Sequence, residues 1–431
     1  MRVLFISFCF PPYNDVGHVR VGKLTKYLLK FGHDVRVVTA KDQPFPPTLQ
    51  AEVPSERVSY TRWINVNKPA EIIFGGRHSV SLRGLESHGH LQSGEKYLRR
   101  LYRTLYKRFV SFPDDQIGWF PFAYKAASQM LENWKPHVIC ASAMPFTSLL
   151  IAYKLSSRYS IPWVADLRDL WVDNHNYKYS GWRRILEEKV EQRILSSAAG
   201  LITVSEPLAD VLKKKYERPV SIVLNGFDHN DYPSDAEMTS PGRTLNMVYT
   251  GIIYEGKQDI APLFQSLANM GFRDSFRVKL YGRYLQHARR LVAQYDIQSI
   301  VEVNEPIPYK EALRAQRQAD ILLLLLWNDP REKGVYTGKL FEYIGAGRPI
   351  LAIGPSDNVA ADMILERNLG MVFQDPADIS EQLQKWIVQK QVSGAIPPLP
   401  LDAGTGLSRE EQTRHLERVL VEIVRAKMPT N

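Results

Sequence analysis

The sequence predicts an α/β protein made of two consecutive doubly wound domains, and three observations carry that prediction. Apolar runs alternate with segments of helical periodicity almost from end to end, as repeated strand-helix units do. In the second half the runs ADILLLLLW (319–327) and PILAIG (349–354) are nearly continuous, which parallel strands covered on both faces require. At 431 residues the chain exceeds one ordinary core and suits two domains of roughly 200 residues each.

In the first half, strand RVLFIS (2–7) is followed by an amphipathic helix near 19–31, Gly32 as a stop, and strand DVRVVTA (34–40). A short strand is expected near 57–64, then a stretch rich in Gly, Ser and His (74–94) that reads as a loop. In EKYLRRLYRTLYKRF (95–109), Leu98, Leu101, Tyr102, Leu105 and Phe109 recur at helical spacing with Lys and Arg largely on another face. Such a helix suits an anionic membrane surface, or packs in the ordinary way with its basic side in water. A helix (119–133), strand HVICAS (137–142), helix (147–157), strand PWVADL (162–167), helix (179–196), strand GLITVS (200–205), helix (207–215) and strand SIVLNG (221–226) continue the alternation. The polar stretch 229–244 is the expected linker. Beyond it come NMVYTG (246–251), FRVKLYG (276–282), SIVEV (299–303), the two long apolar runs and GMVF (370–373), each separated by helical pattern. Two such domains imply a cleft in which ligand meets the carboxyl ends of strands.

Composition narrows the class. No apolar run approaches the ~18 residues of a membrane span, and residues 2–8 lack the length and cleavage site of a signal segment, so a cytoplasmic protein is expected. Cys9 and Cys140 stand alone, without disulfide or zinc spacing. Lys and Arg number 55 against 46 Asp and Glu, a net +9, which favours anionic partners. For nucleic acid there is only that charge, and no nucleic-acid partner is expected. The first strand-helix loop, FCFPPYNDVGHVR, lacks the GxGxxG of a dehydrogenase.

The most informative segment is GVYTGKLFEYIGAGRP (334–349): a Gly-bearing turn, then a helix closed by Gly347 and Arg348-Pro349. Its free N-terminal amides and dipole make an anion site; Gly338 permits close approach of a diphosphate and Lys339 adds a full charge. Glu342, on the same side, can accept hydrogen bonds from two vicinal ribose hydroxyls.

This segment resembles the donor-binding motif of GT-B glycosyltransferases, and the chain is similar to glycosyltransferase family 4, with bacterial surface-polysaccharide enzymes among its members. The likeness includes FPPYNDVGHVRVGKLTKYLLKFGHDVRVVTA (10–40), FPDDQIGWFPFAYKAA (112–127), ASAMPF (141–146), VADLRDLW (164–171), ITVSEPL (202–208) and LNGFD (224–228). It implies the GT-B fold, two Rossmann-like doubly wound domains facing a central cleft. Residues 1–228 would hold the acceptor, 245–407 the nucleotide sugar, and helix 408–426 would return to the first domain. Donor contacts then fall to Gly17, Gly251, Tyr336, Thr337, Gly338, Lys339 and Glu342. Asp166 and Asp169 would serve the acceptor or the developing sugar cation, with Asp169 as a helix cap paired to Arg168 the alternative reading. Arg20 meets a phosphate or stays solvated. Ser205 lines the donor site or caps a helix, and His175 receives no role. Asn225-Gly226 reads as a turn before the linker.

Two departures from the family stand out. Gly334 replaces the glutamate that commonly contacts the donor sugar eight residues before Glu342, leaving Glu332 or backbone amides to do so. The first loop of the second domain, GIIYEGKQD (251–259), lacks the usual Arg after the glycine, so Lys257 becomes the cation for the diphosphate, with Arg283 second. The resemblance implies retaining transfer from a UDP- or GDP-sugar to a glycan or lipid-linked hydroxyl. With no DxD-type cluster in the sequence, neither metal nor cofactor is expected. An epimerase on the same fold and a noncatalytic nucleotide- or glycan-binding subunit are the alternatives.

Overall fold

The computed structural model describes residues 1–68, 109–232, 242–271 and 273–427. The basic segment 95–108 and most of the expected linker lie outside them. Contacts divide the chain into two units, Met1–Leu224 with Thr413–Asn431, and Asn225–Gln412.

The first unit runs β1 (Arg2–Ile6), α1 (Val16–Lys30), β2 (Asp34–Ala40), β3 (Val58–Thr61), α2 (Phe120–Asn133), β4 (Val138–Ala143), α3 (Thr147–Tyr159), β5 (Trp163–Leu167), α4 (Trp182–Leu195), β6 (Gly200–Thr203), α5 (Glu206–Lys215) and β7 (Val220–Ile222). Its parallel sheet has the order β3-β2-β1-β4-β5-β6-β7, so the winding reverses between β1 and β4. Strand residues alternate between two buried faces: Leu4 and Ile6 join Ala141, Ala165 and Trp119 on one side, whereas Val3 and Phe5 join Val35, Val37, Val164 and Leu24 on the other. Burial on both faces is why these strands read as unbroken apolar runs. Helix α1 starts at Asp15, whose side chain accepts from the Gly17 amide.

The second unit runs β8 (Leu245–Thr250), α6 (Ala261–Asn269), β9 (Phe276–Tyr281), α7 (Gln286–Gln294), β10 (Val301–Asn304), α8 (Tyr309–Gln318), β11 (Ile321–Leu325), α9 (Gly338–Ala346), β12 (Ile350–Ile353), α10 (Val359–Glu366), β13 (Gly370–Phe373) and α11 (Pro376–Ser393). The sheet order is β10-β9-β8-β11-β12-β13, all parallel among the recorded pairs, with its reversal between β8 and β11. Helix boundaries follow local chemistry: Gly347 ends α9 at φ 72, Asn358 caps two amides of α10, and Asp375 caps α11 just before Pro376.

Helix α12 (Arg409–Lys427) ends the described chain. Its Leu416, Leu420 and Ile423 lie in the first unit's core with Val3 and Phe5, and Glu417 accepts a hydrogen bond of 2.6 Å from His33. The sequence turn at Asn225-Gly226 proves to be part of a chain crossing. The Phe227 amide donates to the Leu407 carbonyl (3.2 Å), and the Arg409 amide donates to the Phe227 carbonyl (2.6 Å).

Candidate functional site

In the second unit, the loop after β8, the loop after β11 and the first turn of α9 meet at the reversal of strand order, where an open α/β sheet binds ligands. Buried Gln258 holds the two loops together. Its Nε2 donates to the Leu325 carbonyl (2.8 Å), its Oε1 accepts from the Tyr254 amide (3.3 Å), and the Asn328 amide donates to the Lys257 carbonyl (2.8 Å). Tyr254 and Trp327 stack with centroids 5.1 Å apart, and the Lys257 ammonium lies 5.7 Å from the Trp327 ring. Lys257 is thereby placed at the carboxyl ends of β8 and β11.

Gly251 and Lys339 are in contact. Gly251 has φ +131, and a Cβ there would come within 2.3 Å of the Lys339 Cε. The Lys339 ammonium sits 5.3 Å from the Tyr249 ring. Thr337 occupies the N-cap position of α9, yet no side chain caps the helix, and the Thr337 Oγ1 is buried without a hydrogen-bond partner. Leading amides, an unsatisfied hydroxyl and an ammonium group converge where Gly338 begins the helix, an arrangement that suits an anion with several acceptor oxygens. Tyr336 packs edge-on against Phe341 at 5.8 Å.

Glu342, half-buried on α9, accepts from Gln316 Nε2 (3.1 Å), which also donates to Thr250 Oγ1 (2.8 Å). Burial pushes the Glu342 carboxyl above its usual value, against the Gln316 hydrogen bond and the charges of Lys339 and Arg409. Gln316 was missed in the sequence, although it occupies the buried face of α8 three residues after Leu313, where a polar residue is a signal in itself. Of the other cations and acids considered, Arg283 is exposed and Glu332 is buried at the end of a short 3-10 turn.

The first unit gathers residues at its own reversal, beside the carboxyl ends of β1, β4 and β5. Asp166 is 1% exposed. Arg20, also buried, grips it through Nη2–Oδ1 at 2.7 Å and Nε–Oδ2 at 3.1 Å, and Ser142 Oγ donates to Oδ2 at 2.8 Å. Burial works to raise the Asp166 pKa, but the Arg20 charge and these hydrogen bonds hold it below the usual value. Asp166, expected to serve the acceptor or the sugar cation, thus stands in a buried ion pair, and Arg20, expected to meet a phosphate or stay solvated, is buried and also donates to the Leu224 carbonyl (3.0 Å). A strand's periodicity gives the face on which a carboxylate lies but not the partner waiting there.

Arg168 takes a different course. It donates to the carbonyls of Ala143 (2.7 Å) and Met144 (2.9 Å), and its guanidinium lies against Gly17, where a Cβ would come within 2.4 Å of Nη1. A half-buried cation thus stands at the N-terminal end of α1, adding to the positive end of the helix dipole. Asp169 is half-buried beside it. His18, fully buried, bonds through Nε2 to Gln43 Oε1 (2.8 Å), and burial lowers its pKa to about 4. Ser205 stands at the N-cap of α5 without capping it, its Oγ buried and unpartnered.

Residues 17–226 match the family model described as a glycosyl transferase 4-like domain. No curated protein sequence matches the chain. Among solved structures, Anabaena HepE in complex with UDP-glucose is 12% identical, with 98% of this chain and 100% of that chain covered and a TM-score of 0.63. Sucrose-phosphate synthase from Thermosynechococcus elongatus is 14% identical, with coverages of 99% and 98% and a TM-score of 0.59. The lipopolysaccharide outer core galactosyltransferase WaaB is 12% identical, with coverages of 99% and 100% and a TM-score of 0.55. At these identities the likeness is one of fold, and that fold is GT-B.

Proposed function

We propose, on the premise that this chain belongs to the glycosyl transferase 4-like proteins and is a glycosyltransferase, that it transfers a sugar with retention from a UDP- or GDP-sugar. The acceptor is a hydroxyl of a glycan or lipid-linked intermediate in bacterial surface-polysaccharide synthesis. The observation that carries the donor reading is the uncapped start of α9, where the unpartnered Thr337 hydroxyl lies beside Lys339 folded against Gly251. The complex of HepE with UDP-glucose supports a UDP-sugar.

The hardest charge to manage is on the departing diphosphate. As the bond from the anomeric carbon to the phosphate oxygen breaks, its electron pair goes to that oxygen. The α9 amides, Thr337, Lys339 and Lys257 stabilise the growing charge more in the transition state than in the ground state. The acceptor oxygen forms its bond on the same face, and its proton passes to the leaving phosphate, so no protein nucleophile is required. With the counter-charge supplied by protein groups, turnover proceeds without a metal and persists in EDTA. Glu342 holds the ribose hydroxyls. On the first unit, Asp169 orients the acceptor hydroxyl. The protein acts at the cytoplasmic face of the membrane, where lipid-linked acceptors are elongated, and the basic sequence 95–109 contributes to that location.

The test is a thermal-shift panel of UDP-, GDP-, dTDP- and ADP-sugars, because a ligand that binds the native state raises its stability with occupancy. One base should stabilise the protein, and Lys339→Met should reduce the shift. Absence of any shift would remove the donor site, and interconversion of donor sugar without acceptor would make the protein an epimerase.

A further inference from the structure

Helix α4 is built inside out. Its buried face is charged: Arg183 pairs with Glu187 at 2.6 Å, and Glu191 meets Lys215 at 2.9 Å. Over its first turns the outward side carries an apolar stripe, with Trp182 44%, Ile185 55% and Leu186 43% exposed. Phe109, 67% exposed, stacks on Trp182 with centroids 5.3 Å apart, and Val110 beside it is also exposed. An ordinary surface helix shows the opposite pattern, so the outward stripe calls for an apolar partner.

The charges around this stripe identify the partner. Residues 182, 185, 186, 189 and 193 recur at helical spacing, so Trp182, Ile185 and Leu186 continue along the same side into exposed Lys189 and Arg193. Glu187 is buried, and Glu188 is paired with Arg184 at 2.8 Å, so the acids of this stretch do not offset those two lysine and arginine charges. Exposed Lys178 lies just before the helix. An aromatic pair and two aliphatic residues rimmed by cations match the boundary between acyl chains and anionic headgroups.

We propose that the outer face of α4, together with Phe109 and Val110, is a docking surface for an anionic lipid bilayer. The inference rests on the lipid-linked-acceptor reading and places the membrane contact on a surface of its own. Topology gives the contact a use: α4 begins after the loop that leaves the carboxyl end of β5, so its exposed first turns lie at the end of the sheet that carries Arg168 and Asp169. A lipid-linked acceptor held at that surface would arrive near those residues without leaving the bilayer.

The experiment is sedimentation of the full chain with vesicles of phosphatidylcholine, with and without phosphatidylglycerol. Binding should require phosphatidylglycerol and weaken with salt. The variant Trp182→Ser/Ile185→Ser/Leu186→Ser should lower partitioning by about tenfold or more, and Lys189→Glu/Arg193→Glu should do the same, while Trp182→Phe retains binding. Nucleotide-dependent thermal stabilisation must survive in every variant; it reports a folded donor-binding unit and judges the donor reading separately from the lipid reading. The proposal is overturned if folded triple and charge variants sediment like the wild type, or if the wild type ignores anionic vesicles. It is equally overturned if the wild type dimerises in solution through this face and the triple variant is a monomer.

Discussion

Replacing Asp166 by Asn separates a structural carboxylate from a catalytic one. The substitution keeps the shape and can keep the Ser142 hydrogen bond, but it leaves Arg20 charged and buried without its counter-ion. With the charge centres about 4 Å apart and an effective dielectric of about 20, the lost attraction is on the order of 4 kcal/mol. Breaking one side of a buried pair costs about 3–5 kcal/mol by mutational experience. For a unit of this size that lowers the melting temperature by on the order of 10 °C. The assay is thermal and urea unfolding followed by circular dichroism, with the Arg20→Met/Asp166→Leu double variant beside both single ones. The double variant should be less destabilised than either single change, because no unpaired charge remains. If Asp166→Asn unfolds with the wild type yet loses glycosyl transfer, the carboxylate acts on the ligand and the structural account of the pair is wrong.

Gly251→Ala forces a side chain into a backbone region that costs about 1–3 kcal/mol and pushes Lys339 from its place. Calorimetry should therefore show nucleoside diphosphate binding weakened about tenfold. His18, neutral in the fold with a pKa of about 4 against 6.5 when exposed, contributes stability that is present above pH 6.5 and lost as pH falls through that window. Between pH 7 and pH 5 the loss is about 2 kcal/mol, and His18→Gln should lessen the pH dependence of the unfolding free energy, measured by urea denaturation, by that amount. The buried Asp114, whose pKa is raised to about 6, works in the opposite direction in both proteins, so the difference between them isolates His18. Because the Glu342 carboxyl titrates above the usual glutamate range, donor affinity should decline on acidification earlier than an ordinary glutamate would allow. Glu342→Gln should bind more weakly and lose that pH dependence in a competition assay.

Legibility in the sequence followed range of interaction. The strands from β1 to β13 and the uncapped helix tip at Gly338 depend on period, apolar runs and turn residues, all local, and they stand within a few residues of where patterning put them. The partners of Asp166 and Arg20 lie 146 positions apart, and no periodicity links them. The same holds for Gly17, whose missing Cβ makes room for Arg168, and for Gln316, which reaches both Thr250 and Glu342. Inversion of α4 was hidden for a different reason. Ile194 and Leu195 are buried at one end while Ile185 and Leu186 face outward at the other, so apolar residues mark both sides of one helix.

The divided first unit has a consequence for how the protein is made. On a ribosome the β1–β7 sheet emerges early and Val21, Leu24 and Leu28 of α1 cover part of the face that holds Val3, Phe5, Val35 and Val164, but the rest of its packing waits for Leu416, Leu420 and Ile423, encoded almost two hundred codons after β7. Throughout that interval the whole of Asn225–Gln412 is synthesised and can close its own core first. The unit whose sheet emerges first is therefore completed only after the second unit has been made, and until then part of its apolar face lacks the cover that α12 supplies.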